Sequence, residues 1–249
     1  MKTFLNLKQC LILFAAVFSL TSCLKSDDPD FQIVAGGYLQ QVVNETSNPG
    51  QEGEEPTITV SYEFTPYCLV QSSEAMTDCK ATGSSGIMSM QQITPYAYQT
   101  RSSTSTPDYS KISYSIIASN ASGESASTTV SYQSLDKVME SKFESTISFE
   151  GGKGLTVEFN KVKNATAYMV LAKKTTSETL YDGATIVAEF TESDLTNTRE
   201  LTINEATFAK NLEAGSYILE TAAVINVSSY GILGIVVYQK GKSTPYTKE

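Results

Sequence analysis

Strict alternation of apolar and polar residues marks the clearest predicted strand of the chain. In residues 57–64 every second side chain is apolar, with Ile58, Val60, Tyr62 and Phe64 on one side of the strand. Successive side chains of a strand point to opposite faces, so a period of two predicts one buried face and one solvated face. All four apolar side chains are therefore expected in the core.

Other segments repeat this pattern. Residues 111–118 and 125–132 alternate in the same way, and residues 120–124 between them have the Asn and Gly composition of a hairpin turn. Residues 217–227 and 232–238 are strongly apolar, but polar and turn residues separate them, so they are predicted as strands rather than a membrane span. The chain has 60 Ser and Thr, 14 Tyr and only 18% charged residues, a composition that suits pleated surfaces. The predicted fold class is all-β.

The strand pattern divides the chain into two regions joined by a linker. Residues 33–133 and 146–241 each have the length of an ordinary domain, and the linker covers residues 134–145. Four apolar residues of the linker recur at helical spacing: Leu135, Val138, Met139 and Phe143. The linker is predicted either as a short amphipathic helix or as an ordered segment whose apolar side packs against a domain edge.

Segments in both regions resemble the fibronectin type III fold. The sequence YSIIASNASGES, from Tyr114 to Ser125, is similar to the last two strands of that fold. In the second region the likeness covers LTVEF at 155–159, ATAYMV at 165–170, LEAGSY at 212–217 and AAVIN at 222–226. The resemblance implies two tandem immunoglobulin-like or fibronectin type III-like β-sandwiches, with Tyr217 returning a hydrogen bond to the backbone upstream. The chain has no Trp, so Phe159 or Val157 is expected to fill the volume of the family's strand-B Trp.

The N-terminus has the pattern of a targeting segment. Lys2 and Lys8 precede an apolar run at residues 10–20, which is too short to span a bilayer and has the proportions of a signal-peptide core. The run ends in LTSC at residues 20–23, which resembles a bacterial lipoprotein signal. The resemblance implies that residues 1–22 are removed and that Cys23 carries lipid as the membrane anchor. An ordinary secretory signal is the alternative.

A short acidic stretch follows the predicted anchor. Residues 23–32 contain KSDDPD, which resembles the export signal of surface lipoproteins in Bacteroidetes. The resemblance implies a protein held at the outer membrane by lipid and exposed at the cell surface. A disordered, solvated tether is the simpler interpretation of the same residues, and the two are compatible.

The four cysteines are predicted to have three different roles. Cys10 belongs to the signal peptide and Cys23 to the lipid anchor, which leaves Cys68 and Cys79 as an even pair in an oxidising compartment. We predict a disulfide between them. A metal pair is the alternative, but two lone Cys without any His supply too few ligands.

Charge and composition exclude several functions. With 18 Lys and Arg against 27 Asp and Glu, the formal charge is −9, which argues against nucleic acid as a partner. The chain has no His, so His-dependent catalytic triads and His-ligated zinc are excluded. No spacing of carboxylates or glycines matches a hydrolase or a phosphate-binding loop. The protein is expected to be non-enzymatic, without a cofactor or metal.

Aromatic residues in the first region are the candidate ligand contacts. Exposed tyrosines on rigid loops can stack on sugars or anchor a protein partner, and five residues are candidates: Tyr67, Tyr96, Tyr98, Arg101 and Tyr109. Ordinary packing in edge strands and loops is the alternative. The leading expectation is glycan or nutrient capture at the outer membrane. The second is a structural or adhesive subunit, pilus-associated or host-directed, that binds another protein.

Overall fold

The computed structural model describes residues 31–49, 55, 57–83, 86–100, 104–133, 135–174, 184–191, 200–227 and 235–249. Several predicted features lie outside these residues: the signal peptide at 1–22, the predicted lipidation site Cys23, nearly all of the tether, and Arg101. The described part is mostly β-strand with almost no helix, so the expectation of an all-β fold is confirmed. None of its helices is long and apolar enough to cross a membrane.

The described residues of the first region form eight strands. They are β1 (Ile33–Asn48), β2 (Thr57–Ser72), β3 (Met76–Gly83), β4 (Gly86–Met88), β5 (Met90–Thr94), β6 (Ala97–Thr100), β7 (Ser113–Asn120) and β8 (Ser125–Ser131). A 3₁₀ turn at Tyr109–Lys111 precedes β7. The predicted hairpin is confirmed as β7 and β8, and Gly123 takes a φ of 84° in its turn. This left-handed conformation favours glycine there.

In the second region, seven strands lie within the ranges that the structure describes. They are β9 (Ser145–Glu150), β10 (Gly154–Phe159), β11 (Ala167–Lys173), β12 (Thr185–Thr191), β13 (Glu200–Ile203), β14 (Gly215–Val227) and β15 (Ile235–Lys248). One helical turn, α1 (Glu205–Phe208), begins after Asn204, whose side chain accepts a hydrogen bond from the backbone N–H of Ala206. The expected hydrogen bond of Tyr217 is present, from its hydroxyl to the carbonyl of Glu213 at 3.0 Å.

The strands assemble into one long sheet and two shorter ones. The long sheet has the order β12-β11-β14-β15-β1-β2-β6-β5 and therefore takes strands from both regions. The shorter sheets have the orders β4-β3-β7-β8 and β13-β10-β9. The four-stranded sheet lies against the long sheet where β8 meets β1, and the three-stranded sheet where β9 meets β15 and β14. One hydrophobic core consequently runs through both regions.

A parallel strand pair joins the two regions. Tyr38 and Leu39 of β1 lie opposite Val236 and Val237 of β15, and the pairing extends from Gly37 to Gln40. The domain boundaries at 133 and 146 remain predictions. The continuous sheet shows that the regions are hydrogen-bonded to each other rather than strung on a linker alone.

The linker crosses this junction as an ordered strap, which we define as residues 135–144. The strap has no regular secondary structure, so the helical alternative is wrong, although the side chains of Leu135, Met139 and Phe143 are buried as expected. Two buried glutamines replace the missing helical hydrogen bonds. Gln41 binds both the N–H and the carbonyl of Met139, at 3.0 and 2.6 Å. Gln239 accepts from the N–H of Phe143 and donates to the carbonyl of Ser141, both at 3.0 Å.

Candidate functional site

The predicted aromatic site is not brought together by the fold. Tyr67 lies on the outer face of the long sheet, whereas Tyr98 lies on the inner face beside Val70 and is 9% exposed. Burial raises the pKa of both phenols. Two of the candidates therefore point away from each other on opposite sides of the sheet.

The other two described candidates have different surroundings. Tyr96 lies in the turn between β5 and β6 and is 53% exposed. Tyr109 packs edge-on against Phe64, with ring centroids 5.0 Å apart, and its hydroxyl donates to the carbonyl of Leu135 at 3.3 Å. Tyr96 is thus the one strongly exposed tyrosine among the four, and a ligand role for these residues stays a prediction.

A tyrosine cluster that sequence reasoning missed lies at the junction of the two regions. We define it as Tyr38, Tyr67 and Tyr238, which share the outer face of the long sheet. The rings of Tyr38 and Tyr67 stack with centroids 4.6 Å apart and planes 7° apart, and the hydroxyl of Tyr238 donates to Gln40 at 3.0 Å. Burial raises the pKa of Tyr238 above its ordinary value. Because Tyr38 and Tyr238 are almost fully buried, the cluster stabilises the parallel junction instead of offering a ring to a ligand.

The predicted disulfide is absent from the structure. Cys68 on β2 and Cys79 on β3 are both buried free thiols in the core of the first region. Burial raises the pKa of each thiol to about 12. The two strands belong to different sheets, and the sulfur of Cys68 instead faces the hydroxyl of Tyr132 at 3.9 Å. A thiol with such a pKa is a poor nucleophile and a poor metal ligand. Within the described ranges, no three metal-ligating side chains form a cluster that could hold an ion.

The prominent open feature is the far end of the β1–β2 hairpin. We define the distal ribbon as residues 42–48 of β1 and 57–63 of β2, which pair in continuous antiparallel register. It extends roughly 25 Å past the part of β1 that pairs with β15. A two-stranded ribbon has little stability of its own, so a long projection of this kind is unusual without a partner.

Apolar side chains of β2 are exposed along one face of the distal ribbon, and Val42 of β1 is 39% exposed on the other face. Ile58 is 63% exposed and Val60 is 39% exposed, while Tyr62 is half-buried and Phe64 is buried at 2%. All four share the inner face of the long sheet, but the four-stranded sheet covers this face only near Phe64. The expectation that all four lie in the core is therefore wrong for Ile58 and Val60. The signal that could have shown it is the polar, glycine-containing segment at 48–55, which puts these residues close to a hairpin tip.

One edge of the distal ribbon has no strand beside it among the described residues. On the side of β2 away from β1, Leu69 to Gln71 pair with β6, and Phe64 forms an isolated antiparallel bridge with Thr106. In the part of the chain that the structure describes, no strand pairs with this side of residues 57–63. We call these seven residues the ribbon edge.

The Phe64 bridge shows which backbone groups point out of the ribbon edge. The N–H of Phe64 donates to the carbonyl of Thr106 at 2.8 Å, and the N–H of Thr106 donates back at 2.9 Å. Backbone groups of a strand alternate between its two neighbours, so those of Ile58, Val60 and Tyr62 point to the same open side as those of Phe64. Three N–H groups and three carbonyls are thus available to another strand.

The segment around Thr106 begins such a strand and then turns away from the ribbon edge. Thr106 makes the bridge, but Pro107 has no N–H to continue a ladder, and the chain turns into the 3₁₀ helix at Tyr109–Lys111. A shallow recess of about 340 Å³ remains at this point, lined by Ser61, Tyr62, Glu63, Ser105, Thr106 and Pro107. The recess lies at the inner end of the ribbon edge.

Acidic side chains surround the distal ribbon. Glu45 and Glu63 lie on it and Glu55 follows its tip, all three exposed. The sequence has no Lys or Arg from residue 26 to residue 79. Lys163 lies near Tyr62 at the inner end of the ribbon, but it is paired with Glu140 at 2.6 Å. The candidate site therefore combines an open strand edge, an apolar face and negative charge.

Comparison with known proteins gives no family for this chain. No protein-family model matches the sequence, and no curated protein matches it either.

Proposed function

We propose that this protein is a non-enzymatic binding module, held at the outer membrane by lipid on Cys23, which binds another protein through its distal ribbon. The observation that carries the proposal is the exposure of Ile58 and Val60 on a projecting two-stranded ribbon with an open edge. Exposed apolar residues beside an open strand edge favour a protein partner.

The arrangement of aromatic residues favours a protein partner over a glycan. Glycan capture relies on exposed aromatic rings, and of the predicted tyrosines Tyr98 is nearly buried and Tyr109 packs on Phe64. The chain has no Trp. An adhesive or structural role, the second expectation from the sequence, therefore becomes the proposed function.

We also propose that the two regions are fibronectin type III-like sandwiches that share the long sheet. In support, the second region places β13-β10-β9 against the β12-β11-β14-β15 half of that sheet, and Tyr217 makes the hydrogen bond typical of such folds. Its core has Phe159 stacked on Tyr168, with centroids 4.7 Å apart. Phe159 supplies the aromatic volume that Trp provides in the family.

Anchoring and exposure at the cell surface rest on residues 20–30. Cys23→Ala is expected to release the protein from the membrane fraction and to abolish palmitate labelling. Protease treatment of intact cells is expected to degrade the wild-type protein while leaving a periplasmic marker whole. Protection of the wild-type protein would contradict surface exposure.

Site-specific cross-linking on intact cells tests protein binding. A photo-cross-linking residue replaces Thr59 in the ribbon edge, and the matched control replaces Thr202, an exposed Thr on β13 of the other region. The expected result is a defined covalent adduct from position 59 and none from position 202. No adduct at position 59, together with glycan-array binding that is lost in Tyr96→Ala, would support glycan capture instead.

A further inference from the structure

The ribbon edge lacks the features that usually protect an exposed strand. Natural edge strands carry Lys, Pro or a bulge, which prevent pairing with another chain. Residues 57–63 have the sequence TITVSYE, with no Lys or Pro, and their register with β1 is free of bulges. Their β-branched residues instead favour an extended conformation that can accept a neighbour.

The two faces of the ribbon edge have different chemistry. Ile58, Val60 and Tyr62 present apolar surface on the inner face. The outer face carries Thr57, Thr59, Ser61 and Glu63, all exposed. A strand added beside β2 continues both faces, because its side chains alternate in step with those of β2. Such a strand needs apolar residues on one face and polar, positively charged residues on the other.

We infer that the ribbon edge is a strand-addition site for an extended segment of another protein in which apolar residues alternate with Lys or Arg. This inference rests on the proposed function and specifies the chemistry of the partner. The segment's backbone pairs with the outward N–H and carbonyl groups of Ile58, Val60 and Tyr62. Its apolar side chains cover Ile58 and Val60, and its basic side chains lie beside Glu63.

Charge argues against a second copy of this chain as the occupant. Two copies paired edge to edge would bring two distal ribbons together, each carrying exposed Glu45 and Glu63 without an intervening Lys or Arg. Surfaces that carry the same net charge repel each other, and this repulsion is strongest at low salt. A basic partner avoids this repulsion and is attracted to the same carboxylates.

A peptide of defined sequence tests the inference on the mature lipidated protein in a non-ionic detergent. The probe is a short, end-blocked peptide of alternating Val and Lys, and its control has Glu in place of every Lys. Binding is measured by calorimetry at low and high salt. The Lys peptide is expected to bind more tightly than the Glu peptide. Its affinity is expected to fall at high salt, because salt screens the charges.

Two variants at position 60 separate backbone pairing from side-chain contact. Val60→Pro removes an N–H that points away from β1, so the β1–β2 ladder remains, whereas Val60→Ala keeps that N–H. Val60→Pro is expected to weaken Lys-peptide binding by about tenfold or more, and Val60→Ala by less. Thermal unfolding and circular dichroism check that both variants fold. If Val60→Pro does not fold, Glu63→Lys provides the second variant and is expected to lose the preference for Lys over Glu.

The outcomes distinguish failure of this inference from failure of the proposed function. Equal binding to wild type and folded Val60→Pro, equal binding of the two peptides, or dimerisation through the ribbon edge would each overturn strand addition by a basic segment. If position 59 cross-links to a partner on cells but the Lys peptide does not bind, protein binding stands and the strand-addition chemistry is wrong. If neither occurs, both proposals fail.

Discussion

Strand β2 has two halves that follow the same sequence rule and end in opposite environments. Between Phe64 and Val70 its inward side chains are almost fully buried, whereas six residues before Phe64, on the same face, Ile58 is 63% exposed. The difference lies in what covers the face. The four-stranded sheet packs over the first part and not over the second, so the same alternation produces core in one half and a candidate binding surface in the other.

Two matched truncations are expected to show the largest difference between these halves. Phe64→Ala removes a buried ring and is expected to lower the free energy of unfolding by about 3–5 kcal/mol. Ile58→Ala on the same face is expected to change it by less than about 0.5 kcal/mol, because the side chain already contacts water. Urea denaturation of both variants measures the contrast. A loss of similar size at both positions would mean that the distal ribbon is covered.

Thiol reactivity is expected to show a contrast of comparable size. With its pKa raised to about 12, the buried Cys68 has roughly a thousandfold less thiolate near pH 8.5 than an ordinary cysteine. Ser61→Cys places a thiol on the exposed half of the same strand, where alkylation is expected at the ordinary rate. Peptide mapping after timed alkylation separates the two sites.

Alkylation of the denatured, unreduced protein then decides the state of the cysteine pair. Two reactive thiols, at Cys68 and Cys79, are expected from the structure. A linked pair of peptides that reacts only after reduction would show instead that the disulfide expected from the sequence forms.

A moderate loss of stability is expected from a substitution at the contact between β1 and the strap. Gln41→Ala leaves the N–H and carbonyl of buried Met139 without their partners and is expected to cost about 1–3 kcal/mol of stability. Asn48→Ala, on the exposed end of the same strand, is the control and is expected to cost much less. Unfolding experiments give the energies. An unchanged stability for Gln41→Ala would contradict a strap held by this side chain.

Parts of this molecule could be predicted from local sequence because the relevant forces are local. Alternation in residues 57–64 identified the side chains that share a face, and the Asn and Gly content at 120–124 located the β7–β8 turn. Alternation could not show how far another sheet extends over that face. It therefore placed Ile58 and Val60 in the core.

Longer-range features left no comparable signal. The parallel pairing of Tyr38 with Val236 joins residues far apart in the chain, and the local sequence of neither segment indicates which strand it pairs with. The spacing of Leu135 and Met139 fits a helix, yet Gln41 and Gln239 bind the strap backbone in an extended path. In the candidate aromatic site, the local abundance of tyrosine did not reveal that Tyr67 and Tyr98 lie on opposite faces of the sheet.

Amide hydrogen exchange at residues 57–63 tests the open ribbon edge most directly. The ladder with β1 is expected to protect the N–H groups of Thr59, Ser61 and Glu63, while those of Ile58, Val60 and Tyr62 face solvent and exchange fast. We predict this alternation of slow and fast amides in the free protein. Uniform protection of all six amides would contradict it, because the edge would already be paired.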